Sequence, residues 1–414
     1  MSIHTRPRAG HPLAVAALAL ILAVPALADE WYSDKGFFID LPEGFDLAGG
    51  DGESSFTFLS LDQSVVAEIQ VAPGARYPTA RSAWDSVAKK LATAGSPYAY
   101  RYANRDALLA EVSFGSGTSS FKGLLFVLDG PSADAEAYDL TLLVYSLAGD
   151  YGATKDVIAS ALDGFSADAA HRAAPGPLGT RARAQLGKAR ATRVNLSFGQ
   201  ASLVLDWDPR EGAVAQDTTE REYRVLAPYG AVPELVDAAV KRFYRMVWRD
   251  CAPSLDRLAL ELAHAWSSGA WAGPGGQAPR KADSLSPSHG TAADPRAYAA
   301  ALLNWTQNWT YQRNPQGSDV VNPLSAAMEG RGDCDSRALV LAALLRREGI
   351  ETLLLVSLEH QHALAAVKVP GGGARYPYRD QNWVIAETTA KVDIGLIDSS
   401  MSDIEDWLPV EFPF

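Results

Sequence analysis

Cysteine is scarce in this chain of 414 residues, which contains only Cys251 and Cys334. A disulfide framework needs more cysteines than this, so the small folds stapled by several bridges are excluded. A single bridge between the two sulfurs remains open, and it would mask both thiols. For Cys251 we expect a small buried hydrophobic side chain near a helix end.

Positive charge and long apolar runs are also lacking. The sequence has 37 Lys and Arg against 49 Asp and Glu, a formal net charge of -12. No basic run is present to neutralise phosphates, which argues against a nucleic-acid partner. The longest apolar stretch, at 13–24, is too short to span a bilayer. The sequence therefore predicts a protein that does not span the membrane.

The first residues have the pattern of an export signal. Arg6 and Arg8 precede the apolar stretch at 13–24, and Ala-Leu-Ala at 26–28 fits a small-x-small cleavage site. The pattern predicts a signal peptide at 1–28, with cleavage after Ala28. We expect the mature protein in the periplasm of a Gram-negative bacterium or secreted.

A mature chain of this length predicts two or three domains. Apolar and polar residues alternate along most of 29–168 as they do in strands, and helical periodicity occurs at 81–93 and 155–165. This pattern indicates an antiparallel sheet packed on helices. Residues 169–192 are rich in Ala, Gly, Pro and Arg without apolar periodicity and predict a linker. The remainder, 193–414, forms the second predicted domain.

The opening phrase of the first domain, Gly-Phe-Phe-Ile-Asp-Leu-Pro-Glu-Gly-Phe at 36–45, loosely resembles the small PsbP-like fold. No paired nucleophile and base accompany this phrase. We therefore expect a binding or positioning module in this domain.

The second domain combines helical and strand patterns. Helices are predicted at 233–249, 254–266 and 295–309, and strands at 352–358, 362–369 and 383–387. This succession predicts an α+β domain with helices packed on an antiparallel sheet, preceded by the sheet-rich N-terminal domain.

The most informative motif is Gly-Asp-Cys-Asp at 332–335, followed by an apolar helical pattern at 336–348. A helix start offers unpaired N–H groups and a positive dipole end, and both favour a thiolate. The neighbouring Asp333 and Asp335 act in the opposite direction, because like charge raises a thiol pKa. Cys334 is the candidate nucleophile, with inert packing as its alternative.

Two histidines, His360 and His362, open the following strand pattern, where a spacing of two places both on one face. Either could serve as the general base for a thiol. With Cys334 they could also form three ligands of a zinc ion. No fourth ligand lies nearby in sequence, so no metal or cofactor is predicted.

Carboxylates that could orient an imidazole follow on the next strand. Glu387 ends an apolar strand and is the preferred candidate, whereas the competing Asp380 lies in a polar turn. Cys334, a histidine and Glu387, in that chain order, are the parts of a Cys-His-acid hydrolase or acyl transferase.

These motifs resemble the transglutaminase-like cysteine-peptidase superfamily. The resemblance covers roughly 295–397 and includes the Gly-Asp-Cys start of a helix, His-Ala-Leu-Ala-Ala-Val at 362–367 and Trp-x-x-x-Glu-Thr-Thr at 383–389. It implies a papain-like core with Cys334 as nucleophile, His362 rather than His360 as base, and Glu387 as the acid. The family pattern has Asp at that last position. The backbone N–H of Cys334 would help to stabilise the oxyanion.

The resulting expectation is an exported amide hydrolase or acyl transferase that works through a thioester without a cofactor. Its substrates would be proteins or peptides, with cell-wall peptides among the candidates. The resemblance favours hydrolysis over cross-linking. The alternative is a non-catalytic envelope scaffold or binding protein that keeps the fold. The sequence does not define the oligomeric state.

Overall fold

The computed structural model describes residues 30–74, 76–93, 95–130, 137–272, 294–315 and 317–413. The predicted signal peptide at 1–28 lies outside these ranges. Within them, no helix combines the length and the apolar character that crossing a membrane requires. The described chain mixes helices with antiparallel sheets, which confirms the predicted α+β class.

Most of the N-terminal unit is one antiparallel sheet with a helix against each face. A small sheet of β1 (Trp31–Tyr32), β2 (Phe38–Ile39) and β10 (Phe165–Ser166) lies beside it. The large sheet has the strand order β3-β4-β5-β9-β8-β7-β6. Its strands are β3 (Asp46–Gly50), β4 (Ser55–Leu59), β5 (Val65–Pro73), β6 (Tyr98–Tyr102), β7 (Arg105–Ser116), β8 (Ser119–Leu128) and β9 (Tyr138–Leu147).

The large sheet buries both of its faces because successive side chains of a strand point in opposite directions. The face of the sheet that includes Leu142 packs against α2 (Tyr151–Asp163). Leu143 and its equivalents pack against α1 (Ala80–Leu91), whose Trp84 is buried at the centre of that layer.

The segment 169–192, which the sequence predicts as a linker, contains regular structure. This segment contains a 3-10 turn (Ala170–Ala173) and the helix α3 (Pro177–Gln185). The carboxylate of Asp163 accepts a hydrogen bond of 2.6 Å from the backbone N–H of Leu178, and Arg183 pairs with Asp250 at 2.8 Å. Polar contacts rather than an apolar stripe hold this helix, which explains why its sequence lacks periodicity.

The C-terminal unit begins with a hairpin and continues with helices. The hairpin joins β11 (Thr192–Phe198) to β12 (Ala201–Trp207). The helices are α4 (Pro209–Leu226), α5 (Pro233–Cys251), α6 (Asp256–Ser267), α7 (Pro295–Gln307), α8 (Pro323–Glu329) and α9 (Cys334–Arg347). Short 3-10 turns occur at Ala227–Ala231 and Ala252–Leu255. The pair β13 (Thr310–Tyr311) and β14 (Arg331–Gly332) is parallel and lies directly before α9.

An antiparallel sheet follows α9, in the order β17-β18-β16-β15-β19. Its strands are β15 (Thr352–Ser357), β16 (His362–Val367), β17 (Arg375–Tyr378), β18 (Gln381–Ala386) and β19 (Leu408–Val410), and 3-10 turns at Ser399–Met401 and Ile404–Asp406 precede the last one. One face, including Ala363 and Ala365, packs against the buried α9. The opposite face, including Leu364 and Trp407, forms a separate apolar layer.

Three arginines on one face of α5 bind the N-terminal unit. Arg242 donates to the backbone oxygen of Asp40 from Nε and Nη2, at 3.0 and 2.8 Å. Arg245 forms two hydrogen bonds with the carboxylate of the same residue, and Arg249 donates to the backbone oxygen of Gly164. Arg242, Arg249 and Asp40 are buried. The two units are therefore joined through a buried, charged interface.

Candidate active site

Asp333 defines the first turn of α9. Its Oδ1 accepts hydrogen bonds from the backbone N–H and the hydroxyl of Ser336, at 2.8 and 2.5 Å, as an N-cap residue does. The preceding residue must be small, because a Cβ on Gly332 would lie 2.8 Å from the Cβ of Ser336. Gly332 and Asp333 thus fix the position at which Cys334 enters the helix.

The thiol of Cys334 lies between the first turn of α9 and the beginning of β16. The residue is 4% exposed. Its Sγ accepts a hydrogen bond from the backbone N–H of Ala363, the residue after His362. Its S–H donates to Oδ2 of Asp335 at 3.4 Å. The sulfur of Cys334 is therefore hydrogen-bonded to the residue that follows His362 in β16.

The electrostatic surroundings favour the protonated thiol. Burial, followed by the carboxylates of Asp335 and Asp333, raises the pKa of Cys334 well above its usual value, and the hydrogen bond from Ala363 lowers it by less. Burial and the charge of Asp335 also raise the pKa of Asp333. The two aspartates therefore raise the thiol pKa as predicted, and burial raises it more.

The imidazole of His362 is hydrogen-bonded to the carboxylate of Glu387. Nε2 of His362 and Oε2 of Glu387 are 2.7 Å apart. The antiparallel register pairs Ala365 with Ala386, so the acid that follows Ala386 lies close to the start of β16. The longer side chain of glutamate reaches the ring from this position in place of the aspartate of the family pattern.

Glu387 is held as a carboxylate. Burial would raise the pKa of Glu387, but the hydrogen bond and charge of His362 and the bonds from Thr389 outweigh it and hold the pKa at about 2. Oε1 accepts the backbone N–H and the hydroxyl of Thr389 at 2.7 and 2.6 Å. An ionised acid bound to Nε2 favours the tautomer with the proton on Nε2, which leaves Nδ1 as the basic nitrogen.

His360 is not part of β16, which begins at His362, so the prediction that both histidines open this strand is wrong. His360 lies in the turn at 358–361, where Gln361 has a left-handed φ of 47°. Nε2 of His360 lies 3.2 Å from Oδ2 of Asp406, so His360 has a different carboxylate partner from His362. Asp380 lies exposed in the turn between β17 and β18. The structure thus brings Glu387, and not Asp380, to His362.

Neither of the alternatives that sequence reasoning left open for the sulfurs is formed. Cys251 and Cys334 are both free. Burial, followed by the charge of Asp250, raises the pKa of Cys251 to about 12, and the residue is only 1% exposed. Among the described ranges, no group of three or more His, Cys, Asp or Glu side chains is placed to hold a metal ion.

Sequence reasoning missed Arg337, which connects the segments around the thiol. Its guanidinium donates to the backbone oxygens of Gly332, Trp309 and Thr388, at 3.1, 2.9 and 3.3 Å. The residue is 2% exposed, and burial lowers its pKa. An arginine directly before the apolar run at 338–345 was the available signal, because a buried charge needs partners.

Gln307, at the end of α7, was also missed. Both hydrogens of its amide are used, in bonds to the backbone oxygens of Glu387 and Val392 at 2.7 and 2.9 Å. Its side chain is therefore committed to the segment that carries the acid. Nothing in the local sequence distinguishes this glutamine from a surface residue.

Comparisons with known proteins show what these residues resemble. The model of the transglutaminase-like superfamily matches residues 283–388, which include Cys334, His362 and Glu387. A search of curated proteins found no relative. The chain is similar to the solution structure of cyanobacterial PsbP (CyanoP) from Synechocystis sp. PCC 6803, with 14% identity, coverage of 33% of this chain and 89% of that chain, and a TM-score of 0.26.

It is also similar to a crystal structure from Bacteroides thetaiotaomicron VPI-5482, with 12% identity, coverage of 55% of this chain and 78% of that chain, and a TM-score of 0.25. Similarities of this size carry no argument about function. The family match instead agrees with the motifs and the geometry around Cys334. Residues 283–388 of this chain therefore resemble the transglutaminase-like superfamily.

Proposed function

We propose that this chain is an exported, thiol-dependent amide hydrolase or acyl transferase. Cys334 is the nucleophile, His362 the general base and Glu387 the orienting acid. A transglutaminase-like domain supports a cysteine-dependent enzyme as the general class. The specific triad, the reaction and the export are parts of the proposal.

One observation carries the assignment. The N–H of Ala363 bonds to the sulfur of Cys334, and the preceding residue, His362, is bonded to a buried carboxylate at 2.7 Å. A nucleophile, a base and an orienting group in this order are the requirements of covalent acyl transfer. His360 lacks this arrangement because Asp406 holds it in the turn at 358–361.

In the proposed reaction, Nδ1 of His362 takes the thiol proton and the sulfur attacks the carbonyl carbon of an amide. Glu387 stabilises the imidazolium that forms. The N–H of Cys334, in the first turn of α9, is the proposed donor to the oxyanion. The imidazolium then gives its proton to the leaving amine, and a thioester remains on Cys334.

Water completes a hydrolysis. His362 removes a proton from the water, the hydroxide attacks the thioester carbon, and the departing sulfur recovers the proton. An amine in place of water would complete a transfer instead. The resemblance of the motifs favours hydrolysis. The predicted export signal suggests proteins, peptides or cell-wall peptides as substrates.

A second candidate function follows from the state of the thiol. The S–H of Cys334 donates to Asp335 rather than to an imidazole, and burial raises its pKa. A thiol that stays protonated would not attack an amide. In that case the fold would serve as a non-catalytic scaffold, with the N-terminal unit binding an envelope partner.

Trapping the acyl-enzyme tests the proposal. Mature protein should be incubated with peptide, isopeptide and muropeptide amides and examined by mass spectrometry for an acyl adduct on Cys334. We expect an adduct that hydroxylamine releases, and product formation that Cys334→Ala abolishes. His362→Ala should abolish turnover, whereas the matched change His360→Ala should leave much of it.

Three outcomes would contradict the proposal. Product formation that survives Cys334→Ala would exclude the thiol as nucleophile. Loss of turnover in His360→Ala, with turnover retained in His362→Ala, would show that His360 and not His362 is the base. The absence of any adduct across all three amide classes would favour the scaffold.

A further inference from the structure

The indole of Trp407 lies against both imidazoles. Its ring centroid is 6.2 Å from that of His362, with an interplanar angle of 70°, and 5.7 Å from that of His360, with an angle of 40°. The edge-to-face geometry toward His362 is a preferred arrangement of aromatic rings. One side chain, distant from α9 in sequence, thus contacts the proposed base.

Trp407 is itself held firmly. Its Nε1 donates to the backbone oxygen of Met401 at 3.0 Å, and the hydroxyl of Tyr376 donates to the backbone oxygen of Trp407 at 3.0 Å. The residue is 5% exposed and belongs to the apolar layer on the outer face of the sheet. Burial and these hydrogen bonds therefore hold the indole in one position.

A second imidazole–carboxylate pair holds the segment that carries Trp407. Nε2 of His360 lies 3.2 Å from Oδ2 of Asp406, the residue before Trp407. The backbone N–H of His360 in turn donates to the hydroxyl of Ser357 at 3.0 Å. The pair ties the 3-10 turn before Trp407 to the turn that leads into His362, so it fixes the indole relative to the base.

We propose that Trp407 is a positioning residue for His362 and that the His360–Asp406 pair braces it; this inference rests on the proposed function. Glu387 holds the ring of His362 at Nε2. That single bond leaves the ring free to turn about the direction of the bond. The indole packs edge-to-face against the ring and restricts this rotation, so Nδ1 keeps one orientation. Such restriction keeps the reacting groups within the narrow geometry that catalysis requires.

Trp383 provides a matched control. It lies on β18 in the same apolar layer as Trp407, and its Nε1 donates to the backbone oxygen of Tyr378. Among the described residues, neither imidazole has a ring contact with Trp383. Trp383→Leu and Trp407→Leu therefore remove similar apolar volume from one layer, but only the second change removes the contact with His362.

The experiment measures the rate at which iodoacetamide alkylates Cys334 at pH 7, by mass spectrometry of the full mature chain. Cys251 is an internal gauge of folding, because its buried sulfur is labelled only when the structure opens. We expect Trp407→Leu to slow labelling of Cys334 about tenfold, and Trp407→Phe, which keeps an aromatic ring, to stay within about threefold of the wild type. Trp383→Leu should leave the rate unchanged, with Cys251 unlabelled in all variants.

A double-mutant cycle with His362→Ala shows whether Trp407 acts through the imidazole. In the His362→Ala background, Trp407→Leu should have no further effect, because the group that it positions is gone. A Trp407→Leu effect of equal size in both backgrounds would overturn the proposal, and so would wild-type labelling in Trp407→Leu. If His362→Ala alone leaves labelling unchanged, the proposed base fails, and the positioning role fails with it.

A second double-mutant cycle tests the His360–Asp406 pair. His360→Ala and Asp406→Asn should each slow labelling about twofold to threefold, and the double variant should be no slower than either one, since both changes break the same contact. Additive effects would contradict the brace while leaving the contact between Trp407 and His362 to the first cycle.

Discussion

The hydroxyl of Tyr244 lies 2.5 Å from Oδ1 of Asp335, and the other oxygen of that carboxylate accepts the hydrogen of the Cys334 thiol. Helix α5 thereby fixes a negative charge beside the proposed nucleophile. The same helix binds the N-terminal unit through Arg242, Arg245 and Arg249. The surroundings of the thiol and the interface between the units thus share one helix.

Removing that charge should make the thiol more reactive. Burial and Asp335 are the two largest causes of the raised thiol pKa, and Asp335→Asn removes the second. We expect the pH profile of iodoacetamide labelling to move to lower pH in this variant. The exposed Asp319→Asn is the control. An unchanged or higher apparent pKa in Asp335→Asn would contradict the role of this carboxylate.

The acid should couple stability to pH. The pKa of Glu387 is about 2 in the folded chain and about 4.5 in an unfolded one, so its contribution is present above pH 4.5 and lost as the pH falls toward 2. A shift of this size corresponds to about 3 kcal/mol. Urea unfolding at several pH values should show this loss, and Glu387→Gln should remove this part of the pH dependence. An identical pH dependence in both proteins would exclude the bond to His362.

Glu387→Gln should also slow turnover with the fold intact, because a neutral amide no longer stabilises the imidazolium. Asp380→Asn, in the exposed turn, should have no effect. Steady-state kinetics on whichever amide forms the acyl-enzyme compare the two. Equal losses would remove the distinction between these acids.

Helix α9 should not tolerate a side chain at Gly332. The added Cβ of Gly332→Ala would lie 2.8 Å from the Cβ of Ser336, so the first turn must shift, at a cost of about 1–3 kcal/mol. Gly372→Ala is the matched control, since a Cβ there meets no atom within 4 Å. Thermal unfolding should separate the two variants, and equal midpoints would contradict the crowded entry to α9.

The interface should depend on its buried charges. Arg242→Met leaves Glu222 and the backbone oxygen of Asp40 without their shared donor, and we expect a loss of about 3 kcal/mol in the free energy of unfolding. Arg224 pairs with Asp156 across the same boundary, but its side chain is 53% exposed. Arg224→Ala should cost less than about 1 kcal/mol. Similar losses in both variants would argue against a buried interface.

Local sequence signals were sufficient for the elements around the thiol. A glycine, a capping aspartate and an apolar run predict where α9 begins, and the alternating residues after His362 predict β16. The α+β class followed from the same periodicities. The family motifs indicated His362 rather than His360, a choice that spacing alone left open.

Contacts between distant segments could not be predicted in this way. The left-handed φ of Gln361, which places His360 in a turn rather than on β16, depends on the tertiary environment of that turn. Arg242 reaches Asp40 across about two hundred positions of the chain. Helix α3 is held by Asp163 and Asp250, so its own sequence carries no apolar stripe. Periodicity reports burial along one element and gives no information about polar partners from elsewhere.

The most direct test of the account is the pH profile of iodoacetamide labelling at Cys334 in the wild type and in His362→Ala. Pairing with an imidazole should make the sulfur reactive well below about pH 8, and His362→Ala should abolish that reactivity. Labelling that stays slow in the wild type until about pH 8.5, or that His362→Ala leaves unchanged, would contradict a thiol and imidazole acting together.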